Sequence, residues 1–315
     1  MTLSDSEQTL EVKIDKLMNE IHGKGRFSLF AFSSIVLGMN ATGYWFYLLS
    51  YLTLFPKYDC VWSDGLPHTE DDCIAKNICA ADSAVSSYSI DWSDKYSLHN
   101  WVEPEKLNLI CEPGWKIALM GSMVFVGWVI TLPIIPRISD LYSRKKIFIL
   151  GMWLDVALFI AIFLCKSLDL MIAITFMFGL ATTIRVNVGF VYMMELMPKR
   201  LQGFYSSAYN TLEGSVLLLA TLYFWFVSKH WFYFSLIGFS FAIYSGVSAF
   251  FVPESPRLLI EQQRLEEARI SLQWIADYNK VELNFDVEAF RKKGEINDSG
   301  EQVKMKQLPL TYWLK

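Results

Sequence analysis

Long stretches without charge recur along the chain and are separated by short polar segments. An α-helix needs about 20 mostly apolar residues to cross the hydrocarbon core of a bilayer. Six stretches meet this requirement, at residues 27–55, 117–136, 147–165, 168–194, 205–227 and 231–252. The pattern predicts an all-α membrane protein with six transmembrane helices.

The polar segments divide the chain into five predicted regions. These are an amphipathic inner-face segment at 1–26, the first transmembrane helix at 27–55, a large outer loop at 56–114, a bundle of five helices at 115–252 and an inner-face helical tail at 253–315. Lys and Arg concentrate in the short loops after the second and fourth stretches, as at Arg137 and Lys199. Such loops stay on the inner side. Both termini of this multi-pass protein are therefore expected in the cytoplasm or the mitochondrial matrix.

Composition supports the membrane assignment and narrows the function classes. Hydrophobic residues make up 53% of the 315 residues and charged residues 19%, and the net charge is −4. A net charge of this sign gives no global basic field that would attract nucleic acid. The sequence contains no phosphate-binding glycine loop, nucleophile elbow or zinc-protease helix. We therefore expect neither an enzyme nor a cofactor or metal site.

The outer loop is acidic and holds most of the cysteines. Between residues 56 and 114 it carries 11 acids and 4 lysines, together with Cys60, Cys73, Cys79 and Cys111. An even number of cysteines in a translocated loop predicts disulfides, with three possible pairings. The alternative is a set of free thiols or a zinc site. The loop lacks an Asn-x-Ser/Thr sequon, which slightly favours an organelle membrane such as the mitochondrial inner membrane.

Three ionisable residues lie inside the apolar stretches: Asp155, Arg185 and Glu213. Their positions along the predicted helices place all three roughly 12–15 Å from the inner edge. We expect one acid–base–acid cluster. It is either a substrate or proton-relay site or, in the interpretation we favour, a structural ion network that joins three helices.

Aromatic residues cluster in the second half of the first stretch. Tyr44, Trp45, Phe46 and Tyr47, with Asn40, could line a pocket for an organic cation through cation–π contacts. Ordinary helix packing explains the same cluster, and we give it more weight.

Several short motifs resemble the organic cation/anion transporters of the major facilitator superfamily. The run Pro-Glu-Ser-Pro-Arg at 253–257 is similar to the signature that closes the first half of many such transporters. Residues 23–27, 56–60, 107–112, 264–268 and 275–279 resemble further family motifs, in the same order along the chain. The resemblance implies the amino-terminal half of a fold in which the substrate path runs between two six-helix halves.

The resemblance also implies a gate, or latch, on the inner face. Its predicted residues are Asp140, Arg144, Glu195, Glu254 and Arg257. The alternative is that these charges only fix topology and helix ends. The family's loop motif after the second helix is eroded here, because Pro136 and Leu141 replace its first glycine and central arginine.

Two functions remain open at this stage. We slightly favour a transport-impaired structural subunit of a larger membrane complex, possibly a respiratory one. The alternative is an active transporter of small organic ions, formed by dimerisation or with a separate second half. The expected partners are the lipid bilayer and either a second half-transporter or other membrane subunits, and no nucleic acid.

Overall fold

The computed structural model describes residues 5–23, 25–63, 73–80, 83–287 and 290. Parts of several predictions lie outside this range. They are the start of the amphipathic segment, Lys24 in the motif at 23–27, several loop acids between 64 and 72, and the tail beyond 290.

Four helices in the described part of the chain are long and apolar enough to cross a membrane. They are Gly114–Thr131, Arg144–Leu164, Leu168–Leu196 and Trp231–Ser248. They fall within or across the second, third, fourth and sixth predicted stretches. The protein is therefore a mostly helical, multi-pass integral membrane protein, and the full set of six spans remains a prediction.

The first and fifth stretches explain the difference between four and six. The first stretch is broken into three helices, α2 (Arg26–Ala41), α3 (Gly43–Phe46) and α4 (Leu49–Leu52). The break begins at Thr42, whose N–H donates to the Asn40 carbonyl and tightens the last turn of α2. The fifth stretch lies in the continuous helix α11 (Lys199–Phe226), whose polar residues lower its hydropathy.

The other helices of the bundle are α6 (Gly114–Thr131), α7 (Ile135–Leu141), α8 (Arg144–Leu164), α9 (Leu168–Thr182), α10 (Gly189–Leu196) and α12 (Trp231–Ser248). Helices α6 and α9 pack closely because each contributes a glycine at the crossing. A Cβ on Gly127 would lie 3.0 Å from Gly179 Cα. Small residues at a crossing let membrane helices approach within backbone contact. The core beside them contains buried Trp45, Phe159 and Phe178.

The expectation of an all-α protein is wrong in the cysteine-bearing loop. Two antiparallel strands, β1 (Tyr58–Trp62) and β2 (Val85–Ile90), pair with Cys60 opposite Tyr88, and a short helix, α5 (Ala75–Ile78), lies between them. This loop lies between the first and second apolar stretches. Its extended backbone satisfies its N–H and C=O groups by pairing the two strands with each other. We call residues 56–113 the loop domain.

The structure selects one of the three disulfide pairings. Cys60 bonds to Cys73 and Cys79 bonds to Cys111, whereas Cys165 is free and buried. Polar contacts anchor the loop domain on the helices. Lys106 Nζ donates to the Ile162 carbonyl at 2.7 Å, at the carboxyl end of α8.

The opposite end of the bundle, which we call the tail end, carries α1 (Asp5–His22), α13 (Pro256–Glu261) and α14 (Leu265–Asn279). Helix α1 buries Ile14, Leu17 and Ile21 and packs against α14. Asn279 joins three elements, because its amide donates to the Ile21 carbonyl and accepts the Phe27 N–H, both at 2.9 Å.

Candidate functional site

Two of the three intramembrane charges form a fully buried pair. Arg185 Nε lies 3.5 Å from Asp155 Oδ1, and the two side chains are 1% and 0% exposed. Arg185 also donates to the Met39 carbonyl at 2.5 Å, and the Thr42 hydroxyl donates to Asp155 at 3.3 Å. The pair therefore binds the broken end of α2 from both sides.

The helix that carries Arg185 departs from α geometry at this point. Residues Thr183–Val188 form a π-helical segment between α9 and α10. Such segments are rare and often mark functional positions in helices. Here the wider turn contains the arginine that contacts α2.

Glu213 lies close enough to Arg185 to interact with it electrostatically but forms no salt bridge with it, so the predicted cluster is only partly assembled. Helix α11, which carries Glu213, packs against α2 and α3. The neighbour of Glu213 is Tyr47. A Cβ on Gly43 would lie 3.5 Å from Glu213 Oε1 and 3.3 Å from the Tyr47 ring, so the glycine leaves room for both side chains.

Tyr47 also lines an open groove on the helical bundle. The groove is bordered by residues of the first stretch, of α6 and of α11: Phe46, Tyr47, Leu49, Ser50, Ala118, Gly121, Ser122, Phe125 and Leu217. We call it the Tyr47 groove. Its sides are mostly apolar, with Ser50 and Ser122 as exposed polar residues.

Helix α11 continues this polar character along its exposed side. Asn210, Thr211 and Thr221 are exposed, and Glu213 is partly buried, with Oε2 lacking a hydrogen-bond partner among the described residues. Polar groups facing lipid are costly, so such a face borders either water or protein.

Phe46 borders the groove together with Tyr47, whereas Tyr44, Trp45 and Asn40 belong to the packed interior. Trp45 is 0% exposed and contacts Phe178 with ring centroids 4.6 Å apart. Tyr44 lies between Phe234 and Phe241. Asn40 is buried and donates to the carbonyl one turn earlier. Tyr47 alone among the predicted Tyr44, Trp45 and Tyr47 set borders the groove.

Three of the five predicted latch residues meet at the tail end. Arg144 contacts Glu195 through two nitrogens, with Nε 3.2 Å and Nη2 2.9 Å from Oε1, and it also pairs with Asp140. The side chains of Arg144 and Glu195 are 10% and 18% exposed. The network also includes Ser139, which sequence reasoning missed and which accepts from Arg144 Nη1 at 2.8 Å.

Glu254 occupies a neighbouring site between two helix starts. Its carboxylate accepts the N–H groups of Lys145 and Ser255, each at 3.1 Å, and the hydroxyl of Ser143. Ser143 and Ser255 are themselves the N-caps of α8 and α13. A carboxylate at two helix amino termini is favourable because the helix dipoles are positive there.

Arg257 is separate from the other latch residues. Its partner is Asp15 of α1, 3.2 Å away. Asp15 Oδ1 also accepts the N–H of Lys199 at 2.9 Å, at the start of α11, where Pro198 offers no side-chain cap. Sequence reasoning missed Asp15 because 242 residues separate it from Arg257. The signal that could have pointed to Asp15 was its position as an acid within the amphipathic segment.

No group of three or more His, Cys, Asp or Glu residues in the described part of the chain is arranged to hold a metal ion.

Comparison with known proteins identifies the family. The profile of the sugar (and other) transporter family, within the major facilitator superfamily, matches residues 30–312. The chain belongs to this family. It is 27% identical over 198 residues to human solute carrier family 22 member 2, covering 60% of this chain and 34% of that protein.

Other relatives have the same partial coverage. The chain is 25% identical over 175 residues to the human organic cation/carnitine transporter 2, covering 55% of this chain and 31% of that protein. It is 22% identical over 193 residues to the sugar transporter ERD6 of Arabidopsis thaliana, covering 61% and 38%. The matched region thus spans about a third of each of these curated relatives.

The family assignment separates the sequence hypotheses. It confirms the resemblance to organic cation transporters and supports a transporter-like membrane protein. Neither the fold nor the relatives support the respiratory-subunit hypothesis or a mitochondrial location.

Proposed function

We propose that the protein transports small organic cations along the Tyr47 groove, with Glu213 as the counter-charge. The observation that carries this proposal is a carboxylate on α11 that forms no salt bridge among the described residues, with Arg185 as a more distant charge, and that lies beside Tyr47. An aromatic face and a carboxylate together favour an organic cation, through cation–π and Coulombic attraction.

The relatives support the same substrate class. Several of the proteins that the chain matches are named organic cation transporters. Sugar transporters are also among the relatives, but a sugar site needs several hydrogen-bonding side chains, and the groove lining is mostly apolar.

In this proposal the Arg185–Asp155 pair has a structural role. It satisfies its own charge within the interior and holds the end of α2, from which α3 and Tyr47 follow. Arg144, Asp140 and Glu195 act as the gate through their contacts at the tail end. Glu254 lies beside them and joins the starts of two helices.

A transport path along the groove needs a facing wall. We propose that a second set of membrane helices, from a second half or a second copy, covers the polar side of α11. We further propose that the loop domain lies outside the membrane compartment and the tail end inside, as the basic loops indicate.

The test is uptake of tetraethylammonium into proteoliposomes that contain the full protein together with its facing helices. We expect saturable uptake in the wild type. We expect Glu213→Gln to lower it at least about tenfold, because the substituted side chain loses its charge. The control Glu266→Gln changes an acid that is 72% exposed, and it should transport normally.

Two results would contradict the proposal. One is a Glu213→Gln variant that transports like the wild type. The other is a folded wild-type protein without saturable uptake, which would favour the structural-subunit hypothesis.

A further inference from the structure

The loop domain meets the helix bundle at a junction built around two histidines. His99 of the loop domain donates its N–H to the Lys229 carbonyl at 3.0 Å, and the His99 carbonyl accepts the Trp231 N–H at 3.2 Å. His99 and His230 thereby pair like residues of neighbouring parallel strands, one from the loop domain and one from the connection between α11 and α12. We call these contacts the histidine junction.

The side chains of the junction add a stack to its backbone contacts. The His99 ring stacks on Trp92 with centroids 3.9 Å apart and on His230 with centroids 5.5 Å apart. The planes lie within 22° and 25° of parallel. Two positively charged rings at such a separation repel each other. The stack of His99 on His230 is therefore most favourable when at least one of the two rings is uncharged.

His230 has a role in the junction that its uncharged form alone can perform. It is the N-cap of α12, and its Nδ1 accepts the Phe232 N–H at 3.3 Å. A ring nitrogen that accepts a hydrogen bond carries no proton, whereas both nitrogens of a charged imidazole are donors. Protonation of His230 therefore removes the cap and places a positive charge at the positive end of the α12 dipole.

His99 lies in a different setting. Its Nδ1 is 3.2 Å from Glu103 Oε1, and this carboxylate oxygen also accepts the Asn100 N–H at 3.0 Å. A proton on His99 Nδ1 is donated to a carboxylate, which is a charge-assisted hydrogen bond. A charge on His99 is thus compatible with the junction, whereas a charge on His230 is not.

The groups around His230 agree with this reading. Burial, and then the neighbouring His99, lower the pKa of His230 from 6.5, and Glu103 acts in the opposite direction. The other ionisable side chains near the ring are a lysine whose ammonium donates to loop-domain carbonyls, a tyrosine that donates to the His230 carbonyl and a tyrosine against the ring. They are Lys229, Tyr223 and Tyr233. Histidine is the side chain whose ordinary pKa lies between about 5 and 8, so the two histidines dominate the response in this range.

We propose that the histidine junction is a pH-sensitive contact that holds the loop domain on the start of α12 at neutral pH and releases it in acid. Charged His230 loses its bond to the Phe232 N–H and is repelled by charged His99. Released His230 binds a proton more readily than docked His230, so docking is strongest above the ordinary pKa of histidine and weakens as the pH falls through it. The junction shares no residue with the Tyr47 groove, so this inference stands whether or not the groove transports.

The test is hydrogen exchange of the full-length protein in nanodiscs, measured by mass spectrometry at about pH 7.5 and about pH 5. The reporters are the amides of Trp231 and Phe232, whose acceptors both belong to the two histidines. Protection is expressed relative to an unstructured peptide at the same pH, which removes the intrinsic pH dependence of exchange. We expect protection at both amides to fall at least about threefold at the lower pH. Protection at residues 148–152, at the tail end of α8, should change less.

The variant His230→Asn retains an N-cap acceptor and does not titrate. It should keep protection at the higher pH and lose the pH dependence. The matched control is His22→Gln, which changes a histidine at the tail end whose ring bonds to the Ser28 hydroxyl. At the histidine junction this control should respond to pH like the wild type.

Three results would overturn the inference. They are equal protection of Trp231 and Phe232 at both pH values in the wild type, a fall in protection that persists in His230→Asn, and a fall of the same size at residues 148–152, which would report acid unfolding of the whole bundle. The unfolding temperature at about pH 7.5 shows whether each variant is folded. If His230→Asn does not fold, His99→Gln decides, because removal of the neighbouring charge should reduce the fall in protection relative to the variant's own value at the higher pH, and an unreduced fall would contradict the inference.

Discussion

Asp155 and Glu213 are both carboxylates on long helices of the bundle, and Arg185 acts electrostatically on both, but their contacts differ. Asp155 is fully buried, pairs with Arg185 and accepts from Thr42. Glu213 is partly buried, has no ionic partner among the described residues and adjoins Tyr47 at an open groove. The comparison shows that two acids at similar predicted depths have different contacts, because their helices pack differently.

The largest expected effect concerns the buried pair. Asp155→Ala or Arg185→Ala leaves one buried charge without compensation, so we expect each to lower the free energy of unfolding by about 3–5 kcal/mol. Thermal unfolding in detergent micelles measures this loss. The double variant Asp155→Leu with Arg185→Met should recover most of it, because the buried charge is gone. A double variant as unstable as either single variant would refute a purely structural pair.

The tail-end network should show an intermediate effect, since it is paired but borders solvent. We expect Glu195→Gln to lower the free energy of unfolding by about 2 kcal/mol, because Arg144 loses a charge-assisted bond. The same unfolding assay applies, with Glu266→Gln as the exposed control. A loss as large as that of Asp155→Ala would mean that the exposure of an ion pair does not determine how much it stabilises the fold.

Lys106 is a partly buried charge that forms no salt bridge with a carboxylate among the described residues, and pH can test it. Burial lowers the pKa of Lys106 from 10.5 to about 8. Between these values the folded protein binds fewer protons than the unfolded chain, so stability rises as pH increases from about 8 to 10.5. With allowance for solvent screening we expect about 1 kcal/mol over this window.

The measurement is the unfolding temperature across this pH range. Lys106→Met should remove the slope, whereas Lys76→Met, at an exposed lysine of the same domain, should keep it. An unchanged slope in Lys106→Met would assign the effect to other groups.

Asp15 should contribute less to the free energy of unfolding. It lies on α1 and caps the start of a different helix, α11. Asp15→Asn weakens the contact to Arg257 and the bond to the Lys199 N–H, and we expect a loss of about 1 kcal/mol. Hydrogen exchange should accelerate locally at the first turn of α11. Glu20→Gln, on the exposed side of α1, serves as the control. Uniform acceleration throughout α11 would indicate a different role.

The smallest stability effect is expected at Glu213. Because no cation pairs with it among the described residues, Glu213→Gln should change the free energy of unfolding by no more than about 0.5 kcal/mol. The unfolding assay that detects the Asp155→Ala loss supplies the comparison. A loss of several kcal/mol would mean that Glu213 stabilises the fold, as we expect for Asp155.

Hydropathy alone located the helices that are continuous and apolar, such as α8 and α12, because bilayer crossing depends on length and composition. It could not find the break at Thr42, which involves Arg185 and Asp155 from distant helices. The strands of the loop domain were also missed, because their sequences do not alternate strongly between apolar and polar residues.

Site prediction had a similar limit. Depth along a helix was inferred from sequence, but the direction in which a side chain points depends on how the helices pack. Asp155 and Arg185 point toward each other, whereas Glu213 on α11 points toward Tyr47. Arg257 was assigned to the latch by its motif, and its actual partner, Asp15, lies on a helix near the other end of the chain.

The most direct test of the comparison is the accessibility of the two positions to water. Glu213→Cys should react with a charged methanethiosulfonate reagent added to the protein in liposomes, and tetraethylammonium should slow the reaction. Met152→Cys, at a fully buried position one turn from Asp155, should not react. The account predicts a clear difference in rate between the two cysteines. Equal rates, or labelling of Met152→Cys alone, would contradict it.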